Sequence, residues 1–228
     1  LKRAVEAINT NGLRLVKSQA DLAQSLNGVP SIVLTSEGAD FLEGSLDNLK
    51  PAVDAGIRHI QLVHYIRNEV GDIQTEAEVH GGLTSFGKSL ISALNKNGVL
   101  IDVAHGTQDM VLQALEISNA PMIWSHSYLS QSHGIGSQPG YQSRSISVDV
   151  AKKIAGAGGA VGLWALGPSF GGGIGGYADE IKRMVDILGP EHVMFGTDTD
   201  GLPSGSVIDD FEDLRKAVSY THLRAHET

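Results

Sequence analysis

The sequence feature that most constrains the fold is an apolar run that ends on a histidine and is followed by an amphipathic segment. It occurs at Val99–His105 and again, one helical segment later, at Pro121–His126. Apolar runs rich in β-branched residues are typical of strands buried on both faces of a parallel sheet, and helices must connect such strands. The two runs therefore predict a repeat of strand, polar residue and helix.

Three further runs end on a polar residue in the same way, at Glu37, His64 and Asp198. Parallel strands share one carboxyl-terminal edge, and the active sites of (β/α)8 barrels lie there. Together with a strand predicted at Ala160–Ala165, these runs give six strands, whereas a closed barrel needs eight and about 250 residues. We therefore predict an α/β fold, an incomplete (β/α)8 TIM-type barrel with about six of eight strands, two being absent from the front.

Capping residues indicate where the connecting helices begin. Thr84, Thr107 and Ser147 each stand immediately before an amphipathic segment, as an N-cap does. The polar segments 65–82 and 127–145 have no helical or strand period. They are predicted to be long loops after strand ends, where such loops are usually functional.

The composition excludes several classes of function. The chain has no cysteine, so disulfides and thiolate metal sites are ruled out. A formal net charge of -9 without clustered Lys and Arg argues against a nucleic-acid partner. No apolar run approaches the roughly 20 residues of a transmembrane segment, and no signal peptide is present in the sequence given. The cellular location stays open, with the cytoplasm as the default expectation.

Both ends of the sequence bear on domain organisation. The chain opens on Leu1 rather than on methionine, so we interpret it as a fragment. Residues 218–228 resemble a translated sequencing adapter, and we predict that they are a non-native tail. His222 and His226 in that tail are therefore excluded as metal ligands. The domain prediction is one incomplete metal-dependent barrel over residues 1–217, followed by this tail.

The residues at the predicted strand ends favour a metal-dependent hydrolase. Zinc and related ions bind imidazole and carboxylate ligands, and two such ions about 3.5–4 Å apart can activate water and polarise a carbonyl. Each residue also has a structural alternative: a strand-end histidine can be a hydrogen-bonded core residue, Glu37 can cap a helix, and Asp198 can belong to an Asp-Gly turn. Because five such residues recur at one predicted edge of the sheet, a metal site is favoured over these separate structural alternatives.

Six segments resemble the renal-type membrane dipeptidases, which are zinc enzymes with a (β/α)8 barrel. The segments are Ser36–Gly38, Leu62–His64, His80–Gly87, Leu100–His105, Trp124–Ser127 and Gly196–Gly201. The resemblance covers roughly residues 13–217, and the interval from His105 to His126 is similar to that of the family.

The resemblance implies a role for each of five residues. Glu37 is similar to the carboxylate that bridges two metal ions, and His105 and His126 to the other ligands of the second metal. Asp198 resembles the ligand of the first metal that also moves the proton of the bridging water. His64 is similar to the histidine that binds the substrate and stabilises the tetrahedral oxyanion.

Two parts of the implied site stay open. Arg144 is the candidate for the arginine that pairs with the free carboxylate of the substrate, with Arg67 as its rival. The His-x-Asp pair that gives the family's first metal its other ligands has no counterpart in this sequence. We therefore expect a complete shell for the second metal, and only Glu37 and Asp198 for the first.

The resemblance implies that the full-length parent hydrolyses dipeptides by means of a hydroxide that bridges two zinc ions. A small dipeptide is the expected substrate, and a homodimer is an assembly common in the family. One alternative is a related barrel metallohydrolase that acts on a cyclic amide, a lactone or a phosphoester. Another is a catalytically inactive fragment with open, aggregation-prone sheet edges.

Overall fold

The computed structural model describes residues 1–130, 142–167, 170, 173–202 and 205–224. Strands and helices alternate along these residues as the apolar runs predict. The chain divides into two compact units, Leu1–Ala120 and Pro121–Thr228. Of the predicted site residues, Glu37, His64 and His105 belong to the first unit, whereas His126, Arg144 and Asp198 belong to the second.

The first unit contains five α-helices, two short 3-10 helices (Asp40–Leu42 and Leu46–Asn48) and five strands. The helices are α1 (Lys2–Thr10), α2 (Gln19–Leu26), α3 (Leu49–Ala55), α4 (Ser85–Lys96) and α5 (Gln108–Ile117). The strands are β1 (Arg14–Leu15), β2 (Ser31–Ile32), β3 (Leu34–Ser36), β4 (Ile57–Gln61) and β5 (Leu100–Asp102). Strands β1 and β2 pair in parallel, and β3, β4 and β5 form a second parallel set in that order.

Two predicted N-caps of this unit are confirmed, and they explain where its long helices begin. The hydroxyl of Thr84 accepts a hydrogen bond from the backbone N–H of Gly87 at 3.0 Å, before α4. Thr107 does the same for the N–H of Met110 at 3.2 Å, before α5. These bonds satisfy N–H groups that the first turn of a helix leaves without an intrahelical acceptor.

Strands β4 and β5 end three residues before the histidines that their apolar runs reach. A buried polar side chain ends each strand: Gln61 donates its amide to the carbonyl of Val63 at 2.8 Å, and Asp102 accepts from the N–H of Ala104 at 2.9 Å. Such local side-chain bonds replace ladder bonds and turn the chain. His64 and His105 therefore lie in the loops that follow the strands.

Among the residues described, the second unit contains three α-helices, the 3-10 helices Gln142–Arg144 and Pro190–His192, and three strands. The helices are α6 (Val148–Gly156), α7 (Ile174–Leu188) and α8 (Phe211–Arg224). The strands are β6 (Ile123–Ser127), β7 (Ala160–Trp164) and β8 (Val193–Gly196). Strand β7 pairs in parallel with both β6 and β8. The predicted cap Ser147 accepts from the N–H of Val150 at 3.3 Å and begins α6.

Glycine lets the strands of this unit approach closely. A Cβ at Gly162 in β7, or at Gly196 in β8, would clash with the carbonyl oxygen of Ser125 in β6. Both positions are therefore restricted to glycine by the close approach of neighbouring backbone.

The strands β3 to β8 are six parallel strands that follow one another in chain order. They confirm the predicted α/β class and the predicted number of barrel strands. The single domain over residues 1–217 stays a prediction, as does the non-native tail. Helix α8 runs through the first part of that tail, and residues 225–228 lie outside the described residues. In the part of the chain that the structure describes, no helix has both the length and the apolar character of a membrane span.

Candidate active site

The first unit brings three predicted site residues together, which we call the histidine cluster: Glu37, His64 and His105. The Nε2 atoms of His64 and His105 lie 3.3 Å and 3.5 Å from the same carboxylate oxygen, Oε1 of Glu37. The two imidazole rings meet edge to face, with centroids 4.7 Å apart. The side chain of His105 is 2% exposed and that of Glu37 is 40% exposed. The carboxylate therefore reaches solvent, whereas one imidazole is fixed in the interior.

The spacing in the histidine cluster suits a divalent metal ion. Two ligand atoms about 2.0–2.2 Å from a tetrahedral zinc ion are about 3.3–3.5 Å apart. The 3.5 Å between His105 Nε2 and Glu37 Oε1 fits this value and is long for a hydrogen bond. An imidazole nitrogen and a carboxylate oxygen are also donors that zinc binds. This pair can thus supply two ligands to one ion.

His105 is held in an unusual backbone conformation. Its φ is 66°, in the left-handed region that residues other than glycine seldom occupy. The carbonyl of His105 accepts a hydrogen bond from the N–H of Gln74 at 2.8 Å, which fixes the strained turn. Asp198 in the second unit has a φ of 53°. Strain of this kind concentrates at functional positions, and two of the three non-glycine residues with a positive φ in the described part of the chain are predicted site residues, the third being Glu43.

Tyr65 is a member of this site that the sequence analysis missed. Its ring centroid lies 4.8 Å from that of His105, at an interplanar angle of 84°, and 4.6 Å from that of His64. Tyr65 is 51% exposed, so it packs on both histidines and still presents a face to solvent. Its place directly after a strand-end histidine is the signal that could have identified it.

The loop that follows β4 is organised around a buried carboxylate. Asp72 is fully buried and accepts hydrogen bonds from the N–H groups of Val79, His80 and Gly82, at 2.9–3.1 Å. Burial opposes ionisation of Asp72, but these three donors outweigh it and lower the pKa of the carboxyl group. The predicted long loop therefore has a fixed structure.

Arg67 is used inside the same loop. Its guanidinium donates to the Glu76 carboxylate at 2.9 Å and to the carbonyl of Ala77 at 2.8 Å, and its Nε lies 3.5 Å from Asp72. Both hydrogen bonds come from one terminal nitrogen, Nη2, and hold the guanidinium within its own loop. They therefore disfavour Arg67 as the substrate-binding arginine.

In the second unit, His126 lies inside β6 rather than after it. Its side chain is buried, and its Nδ1 is 2.8 Å from the hydroxyl of Ser125. A metal-binding histidine usually donates its other ring nitrogen to a hydrogen-bond partner, which sets the tautomer. With Nδ1 bonded to Ser125, Nε2 is the nitrogen suited to bind a metal.

Trp164 links the other two predicted residues of this unit, and we call Arg144, Trp164 and Asp198 the indole cluster. The indole Nε1 donates to Oδ2 of Asp198 at 3.0 Å. The guanidinium carbon of the buried Arg144 lies 4.7 Å from the centroid of the same indole. The ring of His126 is 6.2 Å from that of Trp164. The sequence analysis did not single out Trp164, which is the last residue of β7.

The comparison with known families decides the assignment. Residues 1–223 match a family described as membrane dipeptidase, peptidase family M19. The chain belongs to this family. The resemblance of the six segments is thereby confirmed, and it extends beyond the range estimated from them.

Individual relatives agree with the family and with the fold. A protein of Schizosaccharomyces pombe named uncharacterized dipeptidase C965.12 is 29% identical over 208 residues, which are 86% of this chain and 48% of that protein. A solved structure described as an amidohydrolase from Pseudomonas aeruginosa has a TM-score of 0.75 at 25% identity, over 86% of this chain and 60% of that chain. A metallo peptidase from Rhodobacter sphaeroides was solved with a phosphinate mimic of the dipeptide L-Ala-D-Ala. It has a TM-score of 0.80 at 21% identity, over 98% of this chain and 65% of that chain.

The matches cover only part of each relative. The chain spans about half the length of the curated relatives it matches, with 48% and 42% of the first two covered. The solved structures share the α/β architecture. The activity of the whole protein is therefore a matter for proposal.

Proposed function

We propose that the protein hydrolyses dipeptides in a metal-dependent reaction. The observation that carries this proposal is the Glu37 carboxylate held between the Nε2 atoms of His64 and His105, in a chain of the membrane dipeptidase family. Relatives that bear the name dipeptidase support the same substrate class.

Glu37, His105 and His126 are the proposed ligands of one zinc ion. Each offers one suitable donor atom, a carboxylate oxygen or an imidazole nitrogen. When bound, zinc would supply the Lewis acidity that activates water and polarises the amide carbonyl. Glu37 and Asp198 are the proposed ligands of the other ion, which is the first metal of the family resemblance. Because no His-x-Asp pair accompanies them in this sequence, we expect this first metal to bind more weakly.

Asp198 is assigned the proton transfer, and His64 is assigned the stabilisation of the negative charge that develops on the substrate. Asp198 takes the proton of the attacking water and passes it to the leaving amine, as a general base and then a general acid. The His64 side chain is partly exposed beside Glu37, so its ring can donate a hydrogen bond to the oxyanion that develops on the substrate.

Arg144 is the proposed partner of the free carboxylate of the dipeptide. A planar guanidinium can bind a carboxylate through two parallel hydrogen bonds. Its guanidinium carbon lies over the Trp164 ring, 4.7 Å from the centroid, whereas the contacts of Arg67 lie within its own loop. This preference for Arg144 separates a dipeptidase from the alternative hydrolases, whose substrates need no free carboxylate.

The proposal is tested by measuring the rate at which the purified protein hydrolyses a dipeptide, with added zinc and with a chelator. His105→Ala should remove both hydrolysis and tight zinc binding, whereas His80→Ala, an exposed histidine of the neighbouring loop, should retain both. A His105→Ala variant with an unchanged rate and unchanged zinc content would overturn the assignment. Hydrolysis of a lactone or a phosphoester in preference to every dipeptide would favour the alternative hydrolase.

Absence of all hydrolysis has a different meaning if zinc still binds. A chain that binds one zinc ion but turns over no substrate would match the alternative of a catalytically inactive fragment. A chain that neither binds zinc nor hydrolyses a dipeptide would contradict the metal site itself.

A further inference from the structure

Trp164 makes a directed contact with an anionic side chain. It is the last residue of β7 and is 3% exposed. Its Nε1–H donates to Oδ2 of Asp198 at 3.0 Å, and a hydrogen bond from N–H to an ionised carboxylate is strong and directional. The bond therefore fixes how the Asp198 carboxylate is rotated.

The face of the same indole carries a cation. The guanidinium carbon of Arg144 lies 4.7 Å from the ring centroid, within the roughly 6 Å over which cations are attracted to an aromatic face. A guanidinium that stacks on an indole is also restricted in the direction of its plane. One rigid ring thus orients two charged groups of opposite sign.

The backbone around Trp164 makes the indole a stable reference point. Trp164 pairs in register with Gly196 of β8, two residues before Asp198. The preceding residue, Leu163, pairs in the same register with Phe195 of β8. Asp198 itself lies in a turn with a φ of 53°, which is closed by hydrogen bonds from the N–H groups of Gly201 and Leu202 to its carbonyl at 3.1 and 3.0 Å.

We propose that Trp164 is a positioning residue of the hydrolytic site, which sets the orientation of Asp198 through its N–H and of Arg144 through its ring face. The catalytic meaning of this inference rests on the proposed function, because that proposal assigns proton transfer to Asp198 and carboxylate binding to Arg144. The orientation of the two side chains can be measured without a substrate.

The second tryptophan of the chain provides an internal comparison. Trp124 in β6 is fully buried, and its Nε1 has no hydrogen-bond partner among the residues described. The chain has two tryptophans, so labelled indole groups give two NMR signals. Trp124 reports an indole that only fills the core, and Trp164 reports one bonded to a carboxylate.

The substrate-free experiment follows these two indole N–H signals. The Trp164 proton should resonate downfield of the Trp124 proton, and Asp198→Gly, which tolerates the positive φ, should move it upfield while Trp124 stays in place. The Nε–H signal of Arg144 should be shifted by the ring current and lose this shift in Trp164→Leu. A Trp164 signal that ignores Asp198→Gly, or an Arg144 signal that ignores Trp164→Leu, would overturn the proposal.

The kinetic experiment separates the two functions of the ring. Trp164→Phe keeps an aromatic face but removes the N–H, so kcat for a dipeptide should fall about 10-fold with little change in KM. Trp164→Leu removes both, so KM should also rise about 10-fold. Tyr177→Phe is the matched control, because it deletes an equally buried hydrogen bond to the adjacent residue of the same strand and should leave kcat and KM unchanged.

The outcomes distinguish this inference from the proposed function. An active wild-type chain with unchanged kcat and KM in Trp164→Phe and Trp164→Leu would overturn the positioning role and leave the dipeptidase standing. A wild-type chain without dipeptide hydrolysis would count against the proposed function, and the NMR comparison would then decide the positioning role alone. Equal kinetic losses in Tyr177→Phe would show that only packing matters, and this would also overturn the inference.

Discussion

The histidine cluster of the first unit and the indole cluster of the second hold their polar side chains by different means. In the histidine cluster, His105 is fixed through its backbone, because its carbonyl accepts from Gln74 in the loop after β4. In the indole cluster, the N–H groups of Gly201 and Leu202 bind the carbonyl of Asp198 within its own turn, and the N–H of Trp164 binds its side chain. Both residues occupy the left-handed region of backbone space. One strained turn is thus held by a loop that is distant in sequence. The other is closed by hydrogen bonds within the turn, and the indole of Trp164 binds its carboxylate.

The two clusters should therefore respond to different mutations. Damage to the loop after β4 should affect the histidine cluster and leave the indole cluster intact. Removal of the Trp164 indole should affect the indole cluster and leave the histidine cluster intact. Substitutions in and around each cluster test this separation, and Glu37 is the position with the largest expected effect.

Glu37→Gln should cause the largest loss, because Glu37 is the proposed ligand shared by both metal ions. Zinc affinity should fall by more than about 100-fold, since even partners of a metal ligand cost about 10- to 100-fold when they are removed. Titration calorimetry measures this directly. Asp40→Asn, at an exposed carboxylate nearby, is the control and should bind zinc like the wild type. Equal affinity in Glu37→Gln would exclude the ligand role.

Arg144→Gln should raise the KM for a dipeptide by about 10- to 100-fold, because a charge-assisted pair with the substrate carboxylate is lost. The loss should disappear when the dipeptide carries a carboxyl-terminal amide. Arg67→Gln should leave the KM near its wild-type value, because Arg67 is engaged by Glu76 and Ala77. A raised KM in Arg67→Gln with an unchanged KM in Arg144→Gln would identify Arg67 as the arginine that binds the substrate carboxylate.

Asp72→Asn should destabilise the loop after β4 by about 1–3 kcal/mol, because a carboxylate that accepts from three N–H groups becomes a neutral amide. Hydrogen exchange of those N–H groups should become faster, whereas the indole signal of Trp164 should not move. Asp54→Asn is the control, since the exposed Asp54 forms an ion pair with Lys50 on the same helix and such pairs contribute little. A shift of the Trp164 signal in Asp72→Asn would break the proposed separation.

The pH dependence of this loop has a defined sign. The backbone donors outweigh burial and lower the pKa of Asp72 in the folded chain, below its unfolded value of about 3.9. The stabilisation from Asp72 is therefore complete above that value and is lost as the pH falls through the lower folded pKa. The difference in unfolding free energy between wild type and Asp72→Asn should be constant from about pH 7 to 5 and shrink below about pH 4. A difference that already shrinks at neutral pH would contradict the assignment.

The smallest effect is expected from removal of residues 218–228, if they are a non-native tail. Because helix α8 runs to Arg224, the truncated chain would lose the end of this helix. Zinc affinity and the signals of both clusters should be unchanged, and the unfolding free energy should change by less than about 1 kcal/mol. Loss of folding after truncation would show that this segment belongs to the domain.

The sequence predicted the parts of this site that depend on local pattern. Apolar runs identify the strands, and a polar residue at the end of each run identifies Glu37, His64 and His105. Helix starts at Thr84 and Thr107 follow from side chains that bond to N–H groups three residues on. These features depend on neighbours within one turn or one strand, so a single sequence contains the necessary information.

The parts that the sequence analysis missed depend on distant contacts. Trp164 and Asp198 are 34 positions apart, and nothing in the sequence around either one indicates that an indole N–H meets a carboxylate. Asp72 organises its loop through backbone N–H groups, which every residue except proline has, so no residue type marks them. The early ends of β4 and β5 follow from Gln61 and Asp102, whose side-chain bonds to backbone compete with strand pairing.

The most direct test of the account is the zinc content and coordination of the purified chain. X-ray absorption on protein loaded with one equivalent should show a site of nitrogen and oxygen ligands, with the scattering pattern of two imidazoles. His105→Ala and His126→Ala should each remove one imidazole and weaken binding, whereas His80→Ala should remove none. A site whose coordination is the same in wild type, His105→Ala and His126→Ala would contradict the proposed metal centre.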